Sequence, residues 1–282
     1  MNKTDIIYEG NFSFWENTNI LLAYLGADND VTIPKIAGSM PVEVICEEAF
    51  QNCAYLESVT LPDSIRKIGP FAFCCCKNLK KVIMHSGVSV IDDHAFNGCQ
   101  SLAEIKLPDG LIKICEYVFA YCEGLTEITI PDGVLSIGQS TFEDCTNLSK
   151  VIIADSVMAI SESAFSCCEN LEEIKLPASL KILSDEMFYG CKRLKYIEIP
   201  NGVTGIGKHA FSGCTSLVHI TIPDSVTAIG YHLNTVGTKE HCYFDDSEKG
   251  VFDGCTNLRF ISYKGKNYDR EHLAELYKAI NG

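Results

Sequence analysis

The chain has 282 residues, is 46% apolar and 21% charged, and carries a formal net charge of −14. Those proportions exclude a disordered chain. The acidic balance excludes nucleic acid or an anionic membrane as the main partner, because both reward clustered Lys and Arg. No run of about 18 apolar residues is present, so no membrane insertion is expected.

The opening MNKTDIIYEGNFSFW lacks a basic start, an apolar core and a small-residue cleavage site. No signal peptide is expected from it, and the chain as it stands reads as cytoplasmic. Next, IIYEGNFSFWENTNILLAYLG reads as a hairpin turning near Asn17–Asn19, and DVTIP at Asp30–Pro34 as a degenerate first rung. Together they form an N-terminal cap over residues 1–45, which covers the apolar, edge-exposed end of a stack.

Residues 46–230 repeat. Phe-x-x-Cys-x-x-Leu occurs with Phe50, Phe73, Phe96, Phe119, Phe142, Phe165, Phe188 and Phe211 spaced 23 residues apart, and Phe252 follows after 41. A period of 20 to 50 residues predicts a solenoid. In AFNGCQSLAEIKLPDGLIKI, Ile105 and Leu107 alternate as the inward residues of a short strand, which Pro108 ends. The PDG that follows is a turn, and Leu111-x-x-Ile114 is a second extended piece.

A helix of one or two turns is predicted next, on the outside of each rung. Gly69, Asp92, Gly138, Ser161, Ser184 and Gly207 stand at its N-cap, and acids such as Asp93 and Glu162 in its first turn. Gly98, Gly190, Gly213 and Gly254 mark its exit. A single rung cannot cover its own flat faces, so neighbours must stack on it, about 4.8 Å apart.

Residues 231–250, YHLNTVGTKEHCYFDDSEKG, insert into the array, and 251–263 form the last repeat. In DREHLAELYKAI, Leu273, Leu276, Tyr277 and Ile280 have helical spacing and Asp269 stands at the N-cap. A C-terminal cap helix is expected within 264–282.

There are 15 cysteines. Nine share one repeat position, from Cys53 and Cys76 to Cys214 and Cys255, and read as small buried residues stacked in a line. A line does not supply the four convergent ligands of a zinc site. Cys46 and Cys115 fall at the predicted N-caps, where a thiol pKa can drop. In AFCCCKNL, Cys74, Cys75 and Cys76 are expected to point three ways. So many free thiols favour a reducing or anaerobic setting.

Leu-x-x-Ile-x-Leu, Leu-Pro, Val-x-x-Ile-Gly and Ala-Phe-x-x-Cys over about residues 31–263 resemble the bacterial surface antigen (BspA-like) class of leucine-rich repeat proteins. The resemblance implies an α/β leucine-rich repeat solenoid, a right-handed superhelix with a concave sheet of short parallel strands and short helical turns outside. It implies adhesion and protein binding and no catalysis. It further implies a secreted or surface location if a leader has been removed.

The residues agree with a non-enzyme: no G-x-S-x-G, H-E-x-x-H or P-loop is found, and the histidines are scattered. GIGKHA at Gly205–Ala210 mimics a dinucleotide fingerprint, but the repeat explains it. No cofactor or metal is expected. The expected partner is another protein, possibly a host or cell-surface protein, or a glycan, bound by a monomer.

Candidate contact residues are the outward strand positions Tyr196, His219 and Phe260, an aromatic run of the kind that anchors interfaces. Ile83 with His85, and Ile152, belong to two rungs that lack the proline, and their exposed isoleucines read as small binding patches or as stronger strand pairing. Tyr231 and Tyr243 belong to the insertion, a partner-contacting loop in this reading. Two other readings are a metal-dependent or enzymatic module centred on the insertion (His232, His241, Cys242, Asp245 and Asp246) and a purely structural spacer.

Overall fold

A computed structural model describes residues 5–231 and 250–282. The repeats stack as a solenoid, with three inter-rung ladders running along it. The first joins the predicted main strands, such as Ser58–Thr60 to Lys81–Ile83 and Glu127–Ile130 to Lys150–Ile153, in parallel. The second joins the short extended pieces, from Val44–Ile45 through Lys67–Ile68, Val90–Ile91, Lys113–Ile114 and Ser136–Ile137 to Ala159–Ile160. It resumes with Ile182–Leu183, Gly205–Gly207 and Ala228–Tyr231.

The third ladder is the turn face, and it corrects the expected outer helix. The first full rung there makes two successive tight turns. Ala49 N–H donates to Cys46 O and Cys53 N–H to Phe50 O, with Glu48 at φ 59° and Asn52 at φ 60°. A bond from residue i+3 to residue i, with positive φ at the third residue, marks a type II turn. The intervening N–H groups point to the next rung: Glu48 to Pro70 O, Phe50 to Ala72 O and Asn52 to Cys74 O. Donors committed between rungs are unavailable for a helix. The glycines read as helix exits instead relieve the second turn, with φ of 71° at Gly98, 68° at Gly190 and 77° at Gly213. Among the described residues the single α-helix is Leu273–Asn281.

The core is one cluster running the length of the stack. Phe50 to Phe252 stack face on face with centroids 4.8–5.8 Å apart, and Tyr24 extends the column at 5.2 Å from Phe50. Beside it the repeat-position thiols from Cys76 onward donate to the phenylalanine carbonyl of the preceding rung, as Cys145 does to Phe119 O at 3.1 Å. Burial raises Cys122 to about 12 and lifts Cys99, Cys145, Cys168 and Cys214 well above the ordinary thiol value.

The ends are closed. Ile6–Glu9, Phe12–Trp15 and Ile20–Tyr24 form an antiparallel meander, whose last strand pairs in parallel with Val44–Ile45. Asp30–Thr32 pairs with Ser58–Thr60 as a first rung. At the other end Lys266–Tyr268 folds back antiparallel on Phe260–Tyr263, a strand where the sequence suggests only a cap helix. Asp269 then accepts from Glu271 N–H and His272 N–H, and the helix buries Leu276 and Ile280.

Candidate functional site

The outward residues of the first ladder form the candidate surface, because strand pleating turns alternate side chains away from the core. The structure brings the predicted aromatic run together. His219 and Phe260 are paired positions in adjacent strands, with rings stacked at 5.5 Å. Tyr196, one rung earlier, meets His219 at 6.1 Å and 53°. Tyr196 is 51% and Phe260 37% exposed. Two residues further along the same strands, Thr221 and Ser262 line a cavity of about 390 Å³ with Asn201, Asp224 and Lys264.

Ile83 and Ile152 sit three rungs apart and line one groove of about 990 Å³. Its floor is the two rungs between them, and the first of these is irregular. Glu104–Leu107 forms no strand, so the first ladder stops at Lys81–Ile83 and restarts at Glu127–Ile130. A second interruption falls at Tyr196–Ile199, directly at the aromatic run. Lys106 and Glu198 occupy the middle outward position of these two rungs, and Lys175 occupies it where the strand is cut to Glu173–Ile174, whereas Thr60, Ile83, Thr129, Ile152 and Thr221 occupy it in the longer strands. Lys and Glu are depleted in strands and β-branched residues enriched. The sequence therefore carried this signal, but as a pattern of strand strength.

His85 is exposed and does not line the groove; its positive form helps to hold the Asp63 carboxyl low, after the larger effect of Lys35. Tyr231 ends a second-ladder strand, its carbonyl accepting from Lys208 N–H at 3.1 Å, so it belongs to a different ladder from Phe260. Tyr243 lies outside the described residues, as do His232, His241, Cys242, Asp245 and Asp246. The insertion departs from that second-ladder strand and returns at Gly250, against Tyr277 of the cap helix.

The predicted thiol candidates separate. Burial raises Cys115 to about 11, the opposite of activation, and it caps no helix. Cys74 is buried and raised to about 12, also chiefly by burial, while Cys75 is half-buried beside it. Asp92, Asp93 and Cys115 cluster, but Lys67 Nζ lies 2.7 Å from Asp92 and supplies the counter-charge.

Two features went unread in the sequence. Phe71, His94 and Tyr117 stack on the turn face at 4.6 and 4.7 Å. Ile112, Leu135 and Met158 stand exposed on the flank. Both are columns of one repeat position and become visible when the repeats are aligned.

A family model described as the BspA type leucine rich repeat region matches residues 28–133 and 112–235, with six copies. A leucine-rich repeat protein of Bacteroides ovatus is 30% identical over 91% of this chain and 68% of its own, with a TM-score of 0.70. A leucine rich repeat protein of T. pallidum is 31% identical over 70% and 82%, at 0.55. A leucine rich cell surface protein of Faecalibacterium prausnitzii is 25% identical over 96% and 97%, at 0.54. No curated protein matches the chain.

Proposed function

The chain belongs to the BspA-type leucine-rich repeat family, and from that membership we propose a non-enzymatic, adhesin-like scaffold that binds another protein on its first-ladder face. The observation that carries this reading is the cluster of exposed Tyr196 and Phe260 around half-buried His219. His219 and Phe260, held by paired strands, lose little entropy when a partner covers them, and Tyr196 extends the cluster from the strandless rung beside them; such residues dominate binding energy at interfaces. The groove between Ile83 and Ile152 supplies a second contact region on the same face, its isoleucines set among charged residues such as Lys106 and Glu127. The insertion between Tyr231 and Gly250 adds contacts of its own. Similarity to a leucine rich cell surface protein supports display at the cell surface.

The test uses the immobilised protein against a panel of purified host and cell-surface proteins and a glycan array. Tyr196→Ala with Phe260→Ala is expected to lower affinity for the captured protein by tenfold or more, about 1.4 kcal/mol. Unchanged affinity, or capture of glycans alone, overturns the assignment.

A further inference from the structure

The flank of the solenoid carries an apolar row that the fold does not require. Ile112, Leu135 and Met158 immediately precede the second-ladder strands Lys113–Ile114, Ser136–Ile137 and Ala159–Ile160. They are 55%, 50% and 56% exposed. The strands pair in register, Ile114 with Ile137 and Ser136 with Ala159, so the three side chains line up along the stack. Other repeats place Arg66, Ser89, Lys181, Thr204 and Thr227 at this position. A polar residue therefore satisfies the rung, and the apolar row is confined to three successive rungs.

The row is bordered by acid. Asp109, Asp132 and Asp155, exposed, stand three residues before it in the same rungs. Glu116 and Glu162 follow four residues after it in the outer two rungs, and Lys113 is the one base within these stretches. The row's spacing is that of the rungs, about 4.8 Å. Same-face residues of an α-helix recur every turn, about 5.4 Å, and those of a strand about every 6.8 Å. Over two rungs a helix laid along the row drifts by about 1 Å and a strand by about 4 Å. A second copy of this chain would bring acidic borders against acidic borders at a net charge of −14.

We propose that this flank docks a partner protein through an amphipathic helix whose apolar row is bordered by Lys and Arg. The surface is separate from the aromatic run, and its border residues Asp109 and Asp132 also line the edge of the groove.

The probe is a fluorescently labelled synthetic helix of about five turns, with Leu on one face and Lys on both sides of it. Its control has the same composition, scrambled so that no face is apolar. Anisotropy is expected to show binding of the helix and at least tenfold weaker binding of the scrambled peptide. Leu135→Glu with Met158→Glu is expected to weaken binding at least tenfold, and Leu135→Ser with Met158→Ser to weaken it without added charge. The sign is decisive, because two extra carboxylates strengthen a merely charge-driven encounter. Unchanged or tighter binding by the Glu variant, equal binding of the scrambled peptide, or no binding up to about 1 mM each overturns the proposal.

Discussion

Along the turn face, nine phenylalanines from Phe50 to Phe252 stack without a break, each centroid 4.8–5.8 Å from the next. Along the strand face of the same rungs, the ladder stops at Glu104–Leu107 and again at Tyr196–Ile199. The difference follows from what each position meets. An interior side chain in a solenoid touches its own counterpart above and below, so a change in one rung disturbs two neighbours. An outward strand residue meets solvent or a partner and is free to vary. The regular column holds the rungs in phase, and the irregular face is where specificity has room.

The widest separation between the two faces is expected in stability. Phe142 is fully buried between Phe119 and Phe165 at 5.6 and 5.5 Å. Phe142→Ala leaves a cavity in the middle of the stack and is expected to cost about 3–5 kcal/mol. Tyr196→Ala, at a half-exposed position on the strand face, is expected to stay within about 0.5 kcal/mol. Urea unfolding of both variants measures the gap. Similar losses would mean that the strand face supports the fold as much as the column does.

A smaller contrast separates thiols of one chemical type. Cys145 is fully buried and donates to Phe119 O at 3.1 Å. Cys145→Ala removes that bond and the sulfur's packing, and is expected to cost about 1–2 kcal/mol. Cys75→Ala, at a half-buried turn position, is expected to cost less than about 0.5 kcal/mol. Thiol labelling reads the same division, with Cys75 modified in the folded protein and Cys145 only on unfolding. Labelling of Cys145 at the rate of Cys75 would show that the column opens.

The two faces were also unequally legible. The 23-residue spacing of Phe50 to Phe211 gives the stack and the inward cysteines, because packing against identical neighbours imposes identical residues. The turn face reads as helix in the sequence because caps, acids and exit glycines suit a helix and a pair of type II turns equally. Only the inter-rung bonds, Phe50 N–H to Ala72 O and its counterparts, decide between them, and no local sequence encodes a partner 22 residues away. The aromatic run was legible because Tyr196, His219 and Phe260 share one repeat position. The groove was legible only indirectly, as weak strand preference at Lys106, since it arises from a strand that fails to form between Ile83 and Ile152.

That failed strand provides the finest test. Lys106 stands at the outward position where Ile83 and Thr129 stand in the flanking rungs, and the ladder is absent only across its rung between Lys81–Ile83 and Glu127–Ile130. A charged, unbranched side chain favours solvated backbone over a pleated surface, and the β scale spans about 1 kcal/mol. Lys106→Thr is expected to add up to about 1 kcal/mol of stability and to join the two flanking strand groups through Glu104–Leu107. Hydrogen–deuterium exchange over residues 104–107 is then expected to slow by up to about fivefold, the same energy read at the backbone. Unchanged exchange at those amides would show that the curvature of the stack, rather than the residue at position 106, opens the groove.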